Sequence, residues 1–183
     1  MTDFNSLTAS QLGDMIGQGK IDPVELTEHF LSQIELSPIG RKIYSTVTFK
    51  LALEQAKDSK KRADAGRRLS SLDGVPISWK DLFDISGYPC EAGSELLAGR
   101  LAIKNAKVYN FAEAHGLICL GKTHMSELAF SGLGLNPIRE TPPCVNYPES
   151  VPGGSSSGAA TSVSFGLAAA GIGSDTGGSV RIP

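Results

Sequence analysis

Histidine and cysteine are scarce in this chain, long apolar runs are missing, and neither sign of charge is in surplus. Each shortage narrows the function. The 183 residues include three cysteines, Cys90, Cys119 and Cys144. They are odd in number, widely spaced and without a C-x-x-C partner, which argues against a disulfide framework and against a zinc site. No run of ~18 apolar residues is present to span a bilayer. The opening stretch MTDFNSLTAS has neither the basic nor the apolar region of a signal peptide. The sequence therefore predicts a chain in the reducing cytoplasm, with no membrane partner. Lysine and arginine number 17 against 19 aspartates and glutamates, a net charge of −2. The basic residues are dispersed apart from Lys60, Lys61, Arg62, Arg67 and Arg68, a run that reads as a solvated helix end and loop, so no nucleic-acid footprint is expected. The three histidines, His29, His115 and His124, fall in a helix, at a helix end and beside a strand end. They read as surface or cap residues whose spacing offers no metal site, and nothing calls for a cofactor.

What is present is an alternation of helices and apolar strands. Thr8 with Gln11 forms a capping box, and Asp22, Pro23 and Glu25 supply N-cap, N1 and N3 of a second helix that Pro38 and Gly40 end. KIYSTVTF, residues 42–49, predicts a strand, and a helix is expected from about Leu51 to Asp64. In GVPISWKD, Val75, Ile77 and Trp79 alternate with Pro76, Ser78 and Lys80, predicting a strand whose second face ends in a lysine. A helix over 104–115 stops at Gly116 and leads into the strand LICLGK, residues 132–153 are a proline-rich loop, and 159–173 read as a buried helix followed by a strand. The fold class is α/β, layers of helices with a sheet in the middle.

Two familiar patterns do not fit their surroundings. GLICLGKT, 116–123, matches a P-loop letter for letter, but a helix precedes it and the residues between its glycines are those of a buried strand. Gly116 is better explained as a helix C′ residue in the left-handed conformation. Gly154, Ser156 and Gly158 match G-x-S-x-G, yet a proline-rich loop stands where a nucleophile elbow needs a strand. The last histidine, His124, lies upstream of that serine, so a Ser-Asp-His order cannot be completed within the chain.

A serine nucleophile without histidine needs another base, and Ser–Lys pairs are one solution. Lys80 ends an apolar strand, where burial disfavours its ammonium form. The alternative is a lysine paired with Asp81 or Asp84, and the sequence does not separate the two. In GSDTGGSVRIP, Gly177 and Gly178 before Ser179 permit a turn whose N–H groups line one concavity, as an oxyanion hole requires. A plain tight turn with an exposed serine is the alternative there.

GVPISWKD, VPGGSSSGAA and GSDTGGSVR, in this order, resemble the amidase signature family of serine hydrolases. AGS at 92–94 and GLICLGKTHMSELA fit as well. The resemblance implies a mixed central sheet flanked by helices, incomplete in this chain, and a Ser–Ser–Lys triad with Lys80 as base, Ser155 as bridging serine and Ser179 as nucleophile. It also implies a cis peptide on one side of Ser155, and an oxyanion held by backbone N–H groups of Thr176, Gly177, Gly178 and Ser179, with Ala129 and Phe130 on one wall of the substrate site. Ser156 and Ser157 then begin the following helix. The family pattern has glycine where this chain has Ser157.

Family members are much longer. The chain accordingly reads as a single unit, the N-terminal part of a longer amidase domain, with a mainly helical layer over 1–65 and the catalytic motifs over 74–183. Part of its core face is expected to be exposed, and the isolated chain to be unstable or inactive. The implied activity is hydrolysis of a small-molecule carboxamide through an acyl-serine, alone or as a homodimer. The alternative is the amidase subunit of a glutamyl- or aspartyl-tRNA amidotransferase with its partner subunits. A reading of another class is a truncated, non-catalytic fragment.

Overall fold

The structure, a computed structural model, describes residues 3–183; Met1 and Thr2, the start of the opening stretch read as lacking a signal peptide, lie outside them. The first helix, α1 (Ala9–Gly17), carries the expected capping box: Gln11 N–H donates to Thr8 Oγ1 at 3.2 Å and Thr8 N–H to Gln11 Oε1 at 2.8 Å. The second, α2 (Pro23–Leu36), starts where Val24 N–H donates to Asp22 Oδ1 at 2.8 Å. It stops before Pro38, but Gly40 opens a further turn, α3 (Gly40–Ile43). A Cβ at Gly40 would lie 2.1 Å from the Ile34 carbonyl oxygen, so this turn sits directly on the end of α2.

The strand expected over 42–49 is shorter than its β-forming residues suggest. Lys42 and Ile43 belong to α3, leaving β1 (Tyr44–Val47). Thr48 closes it by donating its N–H to the Leu120 carbonyl and its hydroxyl to the Cys119 carbonyl, and α4 (Phe49–Asp64) follows. Then come β2 (Pro76–Lys80), α5 (Lys107–Ala114), β3 (Ile118–Thr123), α6 (Ser157–Ser164) and β4 (Ala170–Ile172), with neither helix nor strand over 132–153.

The four strands form one mixed sheet in the order β1-β3-β2-β4. β1 runs antiparallel to β3, whereas β2 is parallel to both neighbours. Both faces of β2 are buried, so its alternating pattern is not that of a half-exposed strand. Trp79 packs against Tyr109 of α5, with Ile77 in the same core, and on the other face the Ser78 hydroxyl lies 2.7 Å from that of Ser162 in α6. The polar residues of β2 are thus covered by a helix and must find partners there. This is a helix–sheet–helix sandwich whose three parallel strands end along one edge, the usual place for a ligand site in α/β sheets.

The P-loop pattern dissolves structurally. Gly116 has φ +81° just after α5, and a Cβ there would lie 2.2 Å from Asp73 Oδ1. Glycine is needed both for the backbone conformation and for that close approach. The basic run is less solvated than expected. Arg62 grips the fully buried Asp73 carboxylate through two hydrogen bonds of 2.8 and 2.7 Å, Arg68 donates to the Asp73 carbonyl, and Lys60 pairs with Asp22. Among the described residues no helix is long and apolar enough to cross a membrane.

Candidate active site

The C-terminal end of β2 places Lys80 inside the protein with no accessible surface. Its Nζ donates to Ser155 Oγ at 2.7 Å and to Ser174 Oγ at 2.8 Å. Neither neighbouring aspartate takes it. Asp81, pointing the other way from the strand end, pairs with Lys122 at 2.8 Å, and Asp84 pairs with Arg100 at 2.7 Å. The carboxylate-paired alternative for Lys80 is therefore not what the fold builds. Two fully buried lysines stand in contrast: Lys122 has a carboxylate, and Lys80 has only hydroxyls. Loss of solvation without a close counter-charge pushes the Lys80 ammonium down to about 8, and the Asp175 carboxylate opposes part of that fall.

Ser155 is fully buried in the loop before α6, and its peptide bond to Gly154 is cis. Space at this turn is tight: a Cβ on Gly154 would lie 2.7 Å from the Gly134 main chain. Ser157 is the first residue of α6, and Ser156 stands in the N-cap position without a side-chain cap bond. The Ser157 hydroxyl is buried with no hydrogen-bond partner among the described residues, a local cost in stability.

Ser179 lies beyond β4 in a half-exposed turn. Its carbonyl accepts from Ser156 N–H at 3.2 Å, which ties the turn to the residue following Ser155. The Ser179 hydroxyl makes no hydrogen bond among the described residues; the fold joins Lys80 to Ser155 directly and ties the Ser179 main chain to Ser156. Gly178 N–H donates to Asp175 Oδ1 at 2.7 Å, whereas the Thr176 and Gly177 N–H groups have no partner among the described residues. Ser179, Thr176 and Gly177 line an open cavity of about 510 Å³ together with Leu128, Ala129 and Phe130. Leu128 and Ala129 both have positive φ, +49° and +58°, an uncommon backbone for side-chain-bearing residues that clusters at functional walls. Phe130 is 94% exposed there.

His124 is corrected from a surface residue to a buried one, because β3, where it ends, is an interior strand of the sheet. Burial holds its imidazole below the usual range. His29 contacts Asn5, and His115 caps α5. Ser174 escaped the sequence reading. The parallel register pairs Trp79 with Ile172, the last residue of β4, so the residues that follow the strand come to the end of β2 where Lys80 stands, but that pairing is invisible in a linear motif.

A family model described as Amidase matches residues 25–183. A glutamyl-tRNA(Gln) amidotransferase subunit of Acinetobacter baylyi is 37% identical over an alignment covering 100% of this chain and 37% of that protein. Among solved structures, an amidase superposes with TM-score 0.85 at 27% identity, covering 94% of this chain and 39% of its own. The peptide amidase of Stenotrophomonas maltophilia gives 0.82 at 25%, covering 91% and 35%. The chain thus spans well under half the length of these proteins. A match over residues 25–183, which take in all three glycine-, serine- and lysine-bearing segments, means that the chain belongs to the amidase family.

Proposed function

We propose that this chain carries the catalytic motifs of an enzyme that hydrolyses a carboxamide C–N bond through an acyl-serine intermediate. The observation that carries the proposal is the fully buried Lys80, without a carboxylate partner, 2.7 Å from the Ser155 hydroxyl. A neutral amine there is a base near neutral pH. Lys80 takes the proton of Ser155 as Ser155 takes that of Ser179, and Ser179 Oγ bonds to the amide carbon. The carbonyl electron pair moves onto oxygen, where the Thr176 and Gly177 N–H groups stabilise it; Gly178 N–H must leave Asp175 to join them. The proton then returns through Ser155 to the leaving nitrogen as the C–N bond breaks. Water next attacks the ester, gives its proton to the same relay, and the acid leaves with Ser179 restored. A hydroxyl contact absent before substrate binds is no obstacle, since such bonds often tighten only in the complex. Ala129 and Phe130 form the wall against which the acyl group lies.

We read the chain as the N-terminal part of a longer domain. An apolar groove of about 350 Å³ beside Trp79, Phe111, Leu117 and Ile172, next to the sheet's β4 edge, supports that reading. Three free cysteines, two of them buried, fit the cytoplasm. A second reading, favoured by the relative at 37% identity, is the glutaminase subunit of a tRNA amidotransferase, which passes ammonia to its partner subunits.

Hydroxylamine tests the common core of both. An acyl-enzyme transfers its acyl group to hydroxylamine, so amide plus hydroxylamine yields a hydroxamate and ammonia. The expected result is hydroxamate formation that Ser179→Ala removes; hydroxamate formation undiminished in that variant refutes the acyl-serine route. Glutaminase activity appearing only with partner subunits selects the second reading, and turnover of simple amides by the full-length protein without partner subunits selects the first.

A further inference from the structure

Ser156 was expected only to begin a helix, yet its side chain does something else. Its Oγ donates to the Ser174 carbonyl at 3.2 Å and accepts from Ser174 N–H at 3.3 Å, so one hydroxyl grips both polar groups of a single residue. Its own N–H holds the Ser179 carbonyl. The site is shaped around this contact: a Cβ on Gly173 would lie 2.7 Å from Ser156 Oγ and 2.9 Å from Ser156 Cβ, so glycine at 173 leaves the room that Ser156 occupies. Ser156 is 2% exposed, which keeps water from competing for these bonds.

The residue so gripped is the second partner of Lys80. A neutral amine has two N–H bonds and one lone pair in a roughly tetrahedral arrangement. With Ser155 and Ser174 hydroxyls at 2.7 and 2.8 Å from Nζ, an N–H donated to Ser174 leaves the lone pair free to face Ser155. Without Ser174 the amine can rotate and present an N–H to Ser155, a geometry in which it accepts no proton.

We infer that Ser156 and Ser174 form a two-hydroxyl clamp, Ser156 locking the Ser174 peptide and Ser174 taking one N–H of Lys80 so that the amine's lone pair is aimed at Ser155. Both are positioning residues, and their assignment rests on the proposed roles of Lys80 and Ser155. The clamp joins the middle and last motifs through side chains, a reason for two serines in succession at 155 and 156.

The test is the titration of Lys80 in the full-length protein that carries this chain, followed by NMR on protein with isotope-labelled lysine and assigned with Lys80→Met. It needs no turnover, so it stands even if Ser179 proves not to be the nucleophile. Ser174→Ala removes an acceptor from the ammonium in a dry site, and the midpoint is expected to fall. Ser156→Ala is expected to move it the same way through the loosened Ser174, and the double variant no further than Ser174→Ala alone, since both act through one contact. In turnover assays Ser156→Ala is expected to lower kcat by about 10²-fold, the scale of an ångström's misplacement, with KM little changed. An unmoved or rising midpoint in Ser156→Ala, or shifts that add in the double variant, overturns the clamp. Should Ser156→Ala fail to fold, Ser174→Thr and Ser174→Val decide. Threonine keeps the hydroxyl and is expected to keep the midpoint, valine to lower it, and equal behaviour of the two overturns the inference.

Discussion

Replacing Lys80 with methionine is expected to reduce turnover by about 10²–10⁴-fold, the range that general acid–base catalysis supplies, while leaving the chain folded. Fold and function separate at this position because of what surrounds Nζ. It has no ion pair to lose, only two hydroxyls, and it is wholly buried. Methionine fills a similar volume and removes a costly buried charge, so the variant is expected to be as stable as the parent or more so. Lys80→Arg is expected to be as inactive as the methionine variant, because a guanidinium does not give up its proton. His124→Ala is the control. Its ring is buried at the end of β3, its main-chain bonds to Ile43 and Gly158 survive the change, and its imidazole is bonded to none of Lys80, Ser155, Ser174 or Ser179. Activity in that variant is expected to stay within a few-fold of the parent. Thermal denaturation beside steady-state kinetics checks all three. Strong activity in Lys80→Met, or its loss in His124→Ala alone, restores a histidine mechanism.

The second expected result is a paired dependence on pH. In the proposed mechanism the active form of Lys80 is the neutral amine, so kcat/KM is expected to rise about tenfold per unit as pH climbs toward about 8 and to level off above it. Stability follows the same group. In the folded chain the ammonium loses its proton near 8, in the unfolded chain near the ordinary 10.5. Between those values the unfolded state holds more protons, so the parent gains stability with rising pH relative to Lys80→Met, at most about 1.4 kcal/mol per unit. Below about 8 the folded state must bury the ammonium and the parent is at its relative minimum. Denaturant unfolding of the pair from pH 7 to 10.5, with variant and parent compared at each point, reads this difference directly. Parallel curves would mean that Lys80 titrates as a solvated lysine.

Local chemistry makes much of the fold legible in the sequence. The capping box at Thr8 and Gln11 and the N-cap at Asp22 mark helices whose ends are set by a few adjacent atoms, and both helices start where those residues place them. Gly116 is legible for the same reason: a helix that stops needs a left-handed residue. Strand ends are less legible, because β1 ends where Thr48 meets Cys119 and Leu120, residues about seventy positions away. The same holds for burial. His124 and Pro76, Ser78 and Lys80 are interior because of which strands and helices neighbour them, not because of their own spacing.

The site divides along the same line. Lys80 and the glycine–serine segments stand out as motifs, and the fold sets Lys80 against Ser155. What the motifs conceal is the cross-connection. Ser174 reaches Lys80 only because β4 runs parallel beside β2, and Ser156 grips Ser174 only because α6 begins against the end of β4. Asp81 is withdrawn from Lys80 by Lys122, forty-odd residues away, and no local pattern signals that. The likeness to Ser-elbow hydrolases at 154–158 fails for a structural reason too: Ser156 has 2% exposure and its hydroxyl is occupied, so it is not available to attack.

The central claim is that the nucleophile is Ser179, with Ser155 as its relay. Labelling with a fluorophosphonate, followed by peptide mapping by mass spectrometry, tests it most directly, since such a reagent bonds to the activated serine oxygen and stays there. The expected adduct is on Ser179 alone, absent in Ser179→Ala and strongly slowed in Lys80→Met. An adduct on Ser155 or Ser156, or full labelling of Ser179→Ala, would contradict the claim.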